Sequence, residues 1–551
     1  MNTLRDRHFE YVCLLLILAL AAYVRLANNA DNPSWYTDEG THLAIAQSLA
    51  QGRVQYLAII QSTLLFAKLP LFERLLACLL LWWGGGMGTL RVLTGALGVL
   101  SVGMLYGVAR RITAQPVLAL LAALMLAIYP QAVLYSRFGF SYNLLTPLVL
   151  LTYLGAWEYL NAPQELAALR RSWLAFSALT IGLGGLSDLW VFALLGPLVL
   201  AVASRHWRDV FWSVPLALLP FGLYALAMLH SVPDAFLFDL RFTLSRLSGV
   251  PLWVQAQKLA LNYTVLMTQD PWPALAMVGF FLLRPARLRY LSLLFFLLPL
   301  VALGRTEALF NLSMYYMIPL LPFVSLGVAA ALLEGVPYMW QELCEALISN
   351  TPHFSPSNSP QRGENLPSPP TGGTCQGTAG LGIEGGEALS LHKYRRWLAS
   401  LLILAIVGVP FVVTALHNIT QAQSGFSTII DPFLIDPHDA KQAAAFVNAR
   451  AGAEDVVIAS PGLAWLIDAN AADFQMAIAA TGRATPHMPG NIPPERWAFD
   501  PDYTQARFVV VDNLWYTWGI WNVPGLRDML EHVQTWELAF AAGEVKVYRR
   551  P

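Results

Sequence analysis

The chain is 551 residues long, 56% hydrophobic and only 13% charged, and its apolar residues gather in long blocks, as in a polytopic membrane protein. A formal net charge of -1, with no concentration of Lys and Arg on one face, excludes a nucleic-acid partner. The four cysteines, Cys13, Cys78, Cys344 and Cys375, have neither metal-binding CxxC spacing nor a pairing pattern, which argues against a disulfide framework or a structural metal site.

The first apolar run, Tyr11 to Leu26, follows Arg5 and Arg7 and reads as an uncleaved signal-anchor helix with its N-terminus in the cytoplasm. Residues 28–87 then form a long external loop, which opens on Asn32-Pro33-Ser34-Trp35-Tyr36-Thr37-Asp38-Glu39-Gly40. The adjacent carboxylates Asp38 and Glu39, flanked by aromatic residues beside a membrane segment, suit an acid/base centre at the membrane-water boundary. The same residues also read as a helix N-terminus, with Thr37 or Asp38 capping the apolar run Leu43 to Leu49 and Glu39 favouring the positive end of its dipole. Helical spacing covers Thr41 to Gln51. From Leu64 to Trp83 an apolar stretch is interrupted by Lys68, Glu73 and Arg74, which predicts helices lying on the membrane surface rather than a full span.

Further spans are expected at Gly88 to Ala109, Pro116 to Leu134, Phe140 to Tyr159, Trp173 to Leu186, Leu189 to Ala203 and Val210 to Leu229. Trp272 to Leu283, Tyr290 to Leu303, Leu312 to Leu333 and Trp397 to Leu416 complete about eleven, several of them short for a roughly 30 Å hydrocarbon core. With the N-terminus inside, Arg110-Arg111, Arg170-Arg171, Arg205 with Arg208, the arginines 284, 287 and 289, and Lys393-Arg395-Arg396 all fall on the cytoplasmic side. That puts Asp38, Glu39, Arg137, the segment 230–271 and the C-terminal region outside. The domain expectation is a transmembrane domain over 1–349, a disordered cytoplasmic Pro/Ser/Gly-rich linker over 350–392, a last membrane helix over 393–417 and a small external α/β domain over 431–551. In that domain His438 to Arg450 has helical spacing, while Asp455 to Ser460, Arg507 to Asp512 and Glu544 to Tyr548 read as strands. No GxGxxG or P-loop supports nucleotide binding. Asp188 reads as an N-cap at an external turn.

Arg91 opens one span and Arg137 closes another, both on the face that carries Asp38. An isolated arginine at a membrane edge can simply snorkel. Together, two carboxylates and two guanidinium groups at headgroup depth suit a membrane-borne phosphate substrate, because arginine binds phosphate bidentately and a carboxylate can take the proton of an attacking hydroxyl.

Asp38-Glu39-Gly40, Ala46 to Gly52, Gly88 to Arg91 leading into Arg110-Arg111, Pro130 to Arg137, and Met314-Tyr315-Tyr316-Met317-Ile318-Pro319-Leu320-Leu321-Pro322 occur in one order along the chain. In that order they resemble the multi-spanning glycosyltransferases of the GT-C fold, in particular the branch of protein mannosyltransferases and bacterial aminoarabinose lipid A transferases. The resemblance implies inverting transfer of a sugar from a polyprenyl-phosphate carrier to a hydroxyl of an envelope lipid, glycan or protein, on the outer face of the plasma (inner) membrane. Asp38 would be the general base, Glu39 its partner, and Arg91 and Arg137 the donor-phosphate ligands. Because the leaving group is a phosphate monoester, neither a cofactor nor an obligatory metal ion is implied. Three positions depart from the family pattern: Lys68-Leu69-Pro70 stands for its His-Pro-Pro, Tyr142-Asn143 replaces an acid, and Met314-Tyr315 occupies the place of a common basic residue. The alternatives are a lipid or polysaccharide transporter, whose expected inverted halves and intramembrane acids are not traceable here, and a non-catalytic sugar-binding membrane scaffold.

Overall fold

Long Leu- and Ala-rich runs give the chain its helices, and Pro or Gly at their ends sets the breaks. In the computed structural model, residues 2–247, 251–303, 311–335, 408–426 and 431–551 are described. The expected linker and most of the last expected span lie outside the described residues, as do Arg305 and Glu307, which read from the sequence as a solvated external turn. The helices up to the late span are α1 (Asn2–Leu26), α2 (Thr37–Ala50), α3 (Pro70–Trp83), α4 (Met87–Thr113), α5 (Pro116–Ile128), α6 (Pro130–Arg137), α7 (Tyr142–Asn161) and α8 (Ala167–Gly185). They continue with α9 (Leu195–His206), α10 (Val210–Ser231), α11 (Pro233–Leu247), α12 (Leu252–Gln269), α13 (Trp272–Leu282), α14 (Ala286–Leu303) and α15 (Leu321–Ala330).

Among the described residues four segments are long and apolar enough to cross a membrane: Arg7–Leu26, Met87–Thr113, Leu189–Ser231 and Met314–Gly335. The α5–α6 pair, bent by 55°, makes a fifth if counted as one span. The chain is an integral membrane protein. The bend replaces the unbroken span expected from Pro116 to Leu134: Pro130 has no N–H to give the preceding turn, and hydropathy alone does not register that loss. Small residues set the closest crossing. A Cβ on Gly279 of α13 would fall 1.7 Å from the carbonyl oxygen of Gly327 on α15. As expected of its mixed sequence, α3 leaves Leu81, Trp82 and Trp83 exposed.

Several arginines assigned above to one side of the membrane gather at one end of the bundle. Arg110 pairs with Glu10 of α1 at 2.8 Å, Arg111 pairs with Glu158 of α7 at 2.6 Å, and Arg205 donates to the carbonyls of Tyr159 and Ala162 at the end of α7.

The C-terminal residues form a five-stranded sheet in the order β6-β5-β7-β9-β8, with β5 (Val456–Ala459), β6 (Asn470–Asp473), β7 (Phe508–Val511), β8 (Glu537–Ala542) and β9 (Val545–Arg549). Strands β6, β5 and β7 are parallel, while β9 and β8 run antiparallel to their neighbours. Helix Pro437–Asn448 and the strands at 456–459, 508–511 and 545–549 match the sequence expectation. Strands β6 and β8 escaped it, because Asn470-Ala471-Ala472-Asp473 has neither alternation nor β-branched residues and Glu537–Ala542 is edge-exposed.

This unit does not core itself alone. Ala44, Ile45, Tyr56, Ile59 and Leu65 share one hydrophobic cluster with Ile458, Phe474, Val509 and Trp515. Trp35, Leu43, Ala46 and Phe72 share another with Ile435, Val457, Leu463 and Val547. A two-residue antiparallel ladder joins β1 (Trp35–Tyr36) to β4 (Leu434–Ile435), and another joins β2 (Gln55–Tyr56) to β3 (Ile59–Ile60). Residues 1–331 and 414–551 accordingly form one compact unit.

Asp473 and Asp512 lie at the carboxyl ends of β6 and β7, and burial pushes both carboxyls up to about 6. Asp512 accepts from the Ser460 hydroxyl and from Leu514 N at 3.0 Å. A carboxyl raised above its ordinary value of 3.8 stabilises the fold fully below that value and loses the contribution as pH rises through about 6. The difference for one such group is about 3 kcal/mol. Asp512→Asn removes the charge, with the amide oxygen accepting from Leu514 N and the amide nitrogen donating to Ser460 Oγ. It is expected to melt higher than wild type at about pH 7.5 and to gain less on acidification to about pH 5. Thermal unfolding at the two pH values checks this, and a lower melting temperature at the higher pH would contradict it.

Candidate functional site

The two adjacent acids have opposite surroundings. The N-cap position of α2 belongs to Tyr36, in extended backbone, and not to Thr37 or Asp38 as expected from the sequence. Glu39, in the first turn, reaches back to accept from Tyr36 N at 2.8 Å. It also accepts from Gly139 N at 2.6 Å and, through both oxygens, from Arg91 Nε and Nη2 at 2.8 and 2.6 Å. Glu39 and Arg91 are both fully buried. The remaining Arg91 donors go to the carbonyls of Asn29 at 3.1 Å, Pro33 at 2.6 Å and Ser34 at 3.0 Å. All five guanidinium N–H groups are thereby used.

Arg137, also buried, donates to the carbonyls of Val24 at 2.8 Å, Ala27 at 2.9 Å, Asn28 at 3.2 Å and Asn32 at 2.8 Å, which are where the chain leaves α1. The donor-phosphate role expected for Arg91 and Arg137 does not fit these surroundings. Their hydrogen-bonding capacity is directed at the loop that carries Asp38, and they shape that loop.

Asp38 turns the other way. Its side chain is 42% exposed and its Oδ2 lies 4.0 Å from Lys68 Nζ, itself 18% exposed. Lys68 Nζ is also 3.3 Å from His42 Nε2, and His42 Nδ1 is 2.9 Å from Glu73 Oε1 on α3. Asp188 faces the same group. It accepts from Trp190 N at 2.8 Å, the capping bond expected from the sequence, and its carboxyl is pushed up by burial against the pull of that bond, Lys68, Tyr142 and His42. The turn bearing Lys68 is fixed from outside. Leu65 N donates to Asp239 of α11 at 3.2 Å, and the buried Arg496 joins Asp239 at 2.8 Å to the carbonyl of Ile60, also at 2.8 Å.

Aromatic rings line this corner. Tyr315 stacks on Phe140 at 4.6 Å between ring centres and meets Tyr142 at 5.5 Å, Tyr316 at 4.4 Å and Tyr36 at 6.2 Å. Burial, and then the charge of Asp38, push the Tyr36 hydroxyl up. Tyr142 and Tyr315 lie within electrostatic reach of the same carboxylate. Among the described residues, no three His, Cys, Asp or Glu side chains converge to hold a metal ion.

The sheet buttresses α2 from behind. Thr41 Oγ1 lies 3.3 Å from the Tyr56 hydroxyl, which donates to Asp473 at 3.4 Å. Gly40 lies against the short helix Pro461–Ala464 so closely that a Cβ there would fall 2.0 Å from the Pro461 carbonyl oxygen and 2.9 Å from Trp465 Cδ1. Gly40→Ala therefore forces backbone apart from backbone and is expected to cost about 1–3 kcal/mol, with activity falling along with stability. Thermal unfolding beside turnover tests this. An unchanged melting temperature would mean that the contact is loose.

No protein-family model and no curated protein matches the sequence. Solved structures do. ArnT from Cupriavidus metallidurans in the apo state aligns over 97% of both chains at 14% identity with a TM-score of 0.62. The same ArnT bound to undecaprenyl phosphate aligns over 97% of both chains at 14% identity with a TM-score of 0.61. The chain has the GT-C fold. The archaeal oligosaccharyltransferase AglB from Archaeoglobus fulgidus aligns more loosely, at 12% identity and a TM-score of 0.49, over 92% of this chain and 70% of its own.

Within this GT-C fold, the structure brings together Asp38, Glu39, Arg91 and Arg137 through one loop and adds Lys68, His42, Glu73 and Asp188. Sequence reading took Lys68 and Glu73 as interruptions of an apolar stretch, and Lys68 also as part of a departure from the family's His-Pro-Pro. The signal available was that Glu73 lies in a largely apolar stretch, where a charge calls for a partner, and that His42 stands at the head of the apolar run from Leu43.

Proposed function

We propose that the protein is a glycosyltransferase that moves a sugar from a polyprenyl phosphate to an acceptor hydroxyl, with Asp38 as general base. The observation that carries the reading is the separation of the two acids. Glu39 is saturated by four donors, whereas Asp38 remains open beside a lysine and an aromatic wall. In this reading the acceptor O–H proton passes to an Asp38 oxygen as the acceptor oxygen bonds to the anomeric carbon. The bond from that carbon to the phosphate oxygen breaks on the opposite face, and the polyprenyl phosphate departs with the electron pair, giving inversion. Among the described residues near Asp38, Lys68, rather than Arg91 or Arg137, is the cation available to receive the phosphate. Tyr36, Tyr142 and Tyr315 offer ring faces to a sugar.

The likeness to ArnT bound to undecaprenyl phosphate supports a lipid-phosphate donor on this fold. The gathering of Arg110, Arg111 and Arg205 at one end of the bundle supports a cytoplasmic placement of that end, with Asp38 and the C-terminal sheet facing outward across the plasma membrane. The acceptor would be a lipid, glycan or protein of the envelope. The test incubates purified protein in lipid with a panel of labelled polyprenyl-phosphate sugars, with and without envelope extract. Consumption of one donor, dependent on Asp38, supports the reading. Binding without turnover of any donor, whatever the acceptor, refutes it.

A further inference from the structure

We propose that Glu73 and His42 form a buried positioning pair that aims the Lys68 ammonium at the donor phosphate, an inference that rests on the reading of Lys68 given above. His42 and Glu73 are each about 1% exposed, and they meet at 2.9 Å behind Lys68. The contrast with Glu39 is informative. Glu39 has four donors and acts as a structural knot, whereas Glu73 Oε2 has no hydrogen-bond partner among the described residues, so the carboxylate is held buried essentially for one imidazole. Burying a charge for so little contact does not serve stability. A carboxylate can only accept, so His42 Nδ1–H donates to Glu73, and the lone pair of Nε2 then faces Lys68.

The consequence lies in how the ammonium is divided. Lysine is a compact charge on a flexible stem, with three donors and no preferred direction. Here one N–H is directed at His42 Nε2 at 3.3 Å, a second lies on the side of Asp38 Oδ2 at 4.0 Å, and the third is left for an incoming anion. The other charged group facing Lys68 and His42 is Asp188, from the turn after α8, and Phe72 closes the His42 ring edge-on at 5.0 Å. Buried behind Lys68, the pair acts through the ammonium as a positioning device.

The test measures affinity for undecaprenyl phosphate, with the full-length protein in lipid nanodiscs and thermal unfolding as the check on folding. Lys68→Met is expected to weaken binding about tenfold, and His42→Leu and Glu73→Gln severalfold, as for loss of a hydrogen bond to a charged group. The double variant His42→Leu/Lys68→Met should bind as Lys68→Met does alone, because the imidazole has no other route to the ligand. His42→Gln sets a carbonyl oxygen near the former Nε2 and should restore affinity, whereas His42→Asn sets its amide near Nδ1 and should not. These two also decide the matter if His42→Leu fails to fold. Additive losses in the double variant, or equal losses in the Gln and Asn variants, overturn the proposal while the lipid-phosphate reading stands. Unchanged binding in Lys68→Met overturns both.

Discussion

Asp38→Asn is expected to reduce sugar transfer by roughly 10²–10⁴-fold, the range for loss of a positioned general base. The amide keeps the shape of the side chain and cannot accept a proton at neutral pH. Because Asp38 is 42% exposed and makes no bond that holds α2, the variant should fold and melt as wild type does. Undecaprenyl phosphate should bind at least as well, since one negative charge beside Lys68 is gone. Turnover and binding measured on the same preparation check the prediction. Transfer within threefold of wild type would move the base elsewhere, and Asp188, the other carboxyl facing Lys68, would be the next residue to replace.

Its neighbour should fail for the opposite reason. Arg91→Met leaves the Glu39 carboxylate buried with only two backbone N–H donors, and three loop carbonyls, those of Asn29, Pro33 and Ser34, lose their donor. The expected cost is about 3–5 kcal/mol, and any activity lost is lost through unfolding of the loop. Glu39→Gln should also destabilise, by stranding the guanidinium charge. Combining the two should cost clearly less than the sum, because the second change removes a charge that the first left unpaired. Thermal unfolding of the two single variants and the double variant closes the cycle. Additive losses would show that the pair does not act as one unit.

How far the sequence reached depends on the kind of signal each element sends. Apolar blocks and the placement of basic residues brought out α1, α4 and the late span, and Asp38-Glu39-Gly40 stood out as a candidate centre because two acids beside a membrane segment need a reason. Periodicity cannot tell which of two adjacent helical residues turns inward when both are acids. The inward one is settled by Arg91, 52 positions away, and by Gly139, 100 positions away. Arg91 and Arg137 were placed on the face of Asp38, but a sequence does not show the backbone carbonyls that use up their donors. Lys68 was hidden for a related reason. Its placement comes from a turn pinned by Asp239 and Arg496, and the Arg496 bonds to Asp239 and Ile60 span 257 and 436 positions. The break at Pro130 and the edge strand β8 were missed where hydropathy continued smoothly or alternation failed.

The pairing of Trp35 and Tyr36 with residues 434 and 435, and of Gly40 with Pro461, also dictates an order of assembly. The residues flanking Asp38 emerge first from the ribosome, yet their partners are made about four hundred positions later, after the membrane helices have been threaded. A nascent or truncated chain carries the acid, the lysine and the tyrosines but not the sheet that seats them. The corner around Asp38 therefore reaches the arrangement described here only after the sheet that seats it has been made.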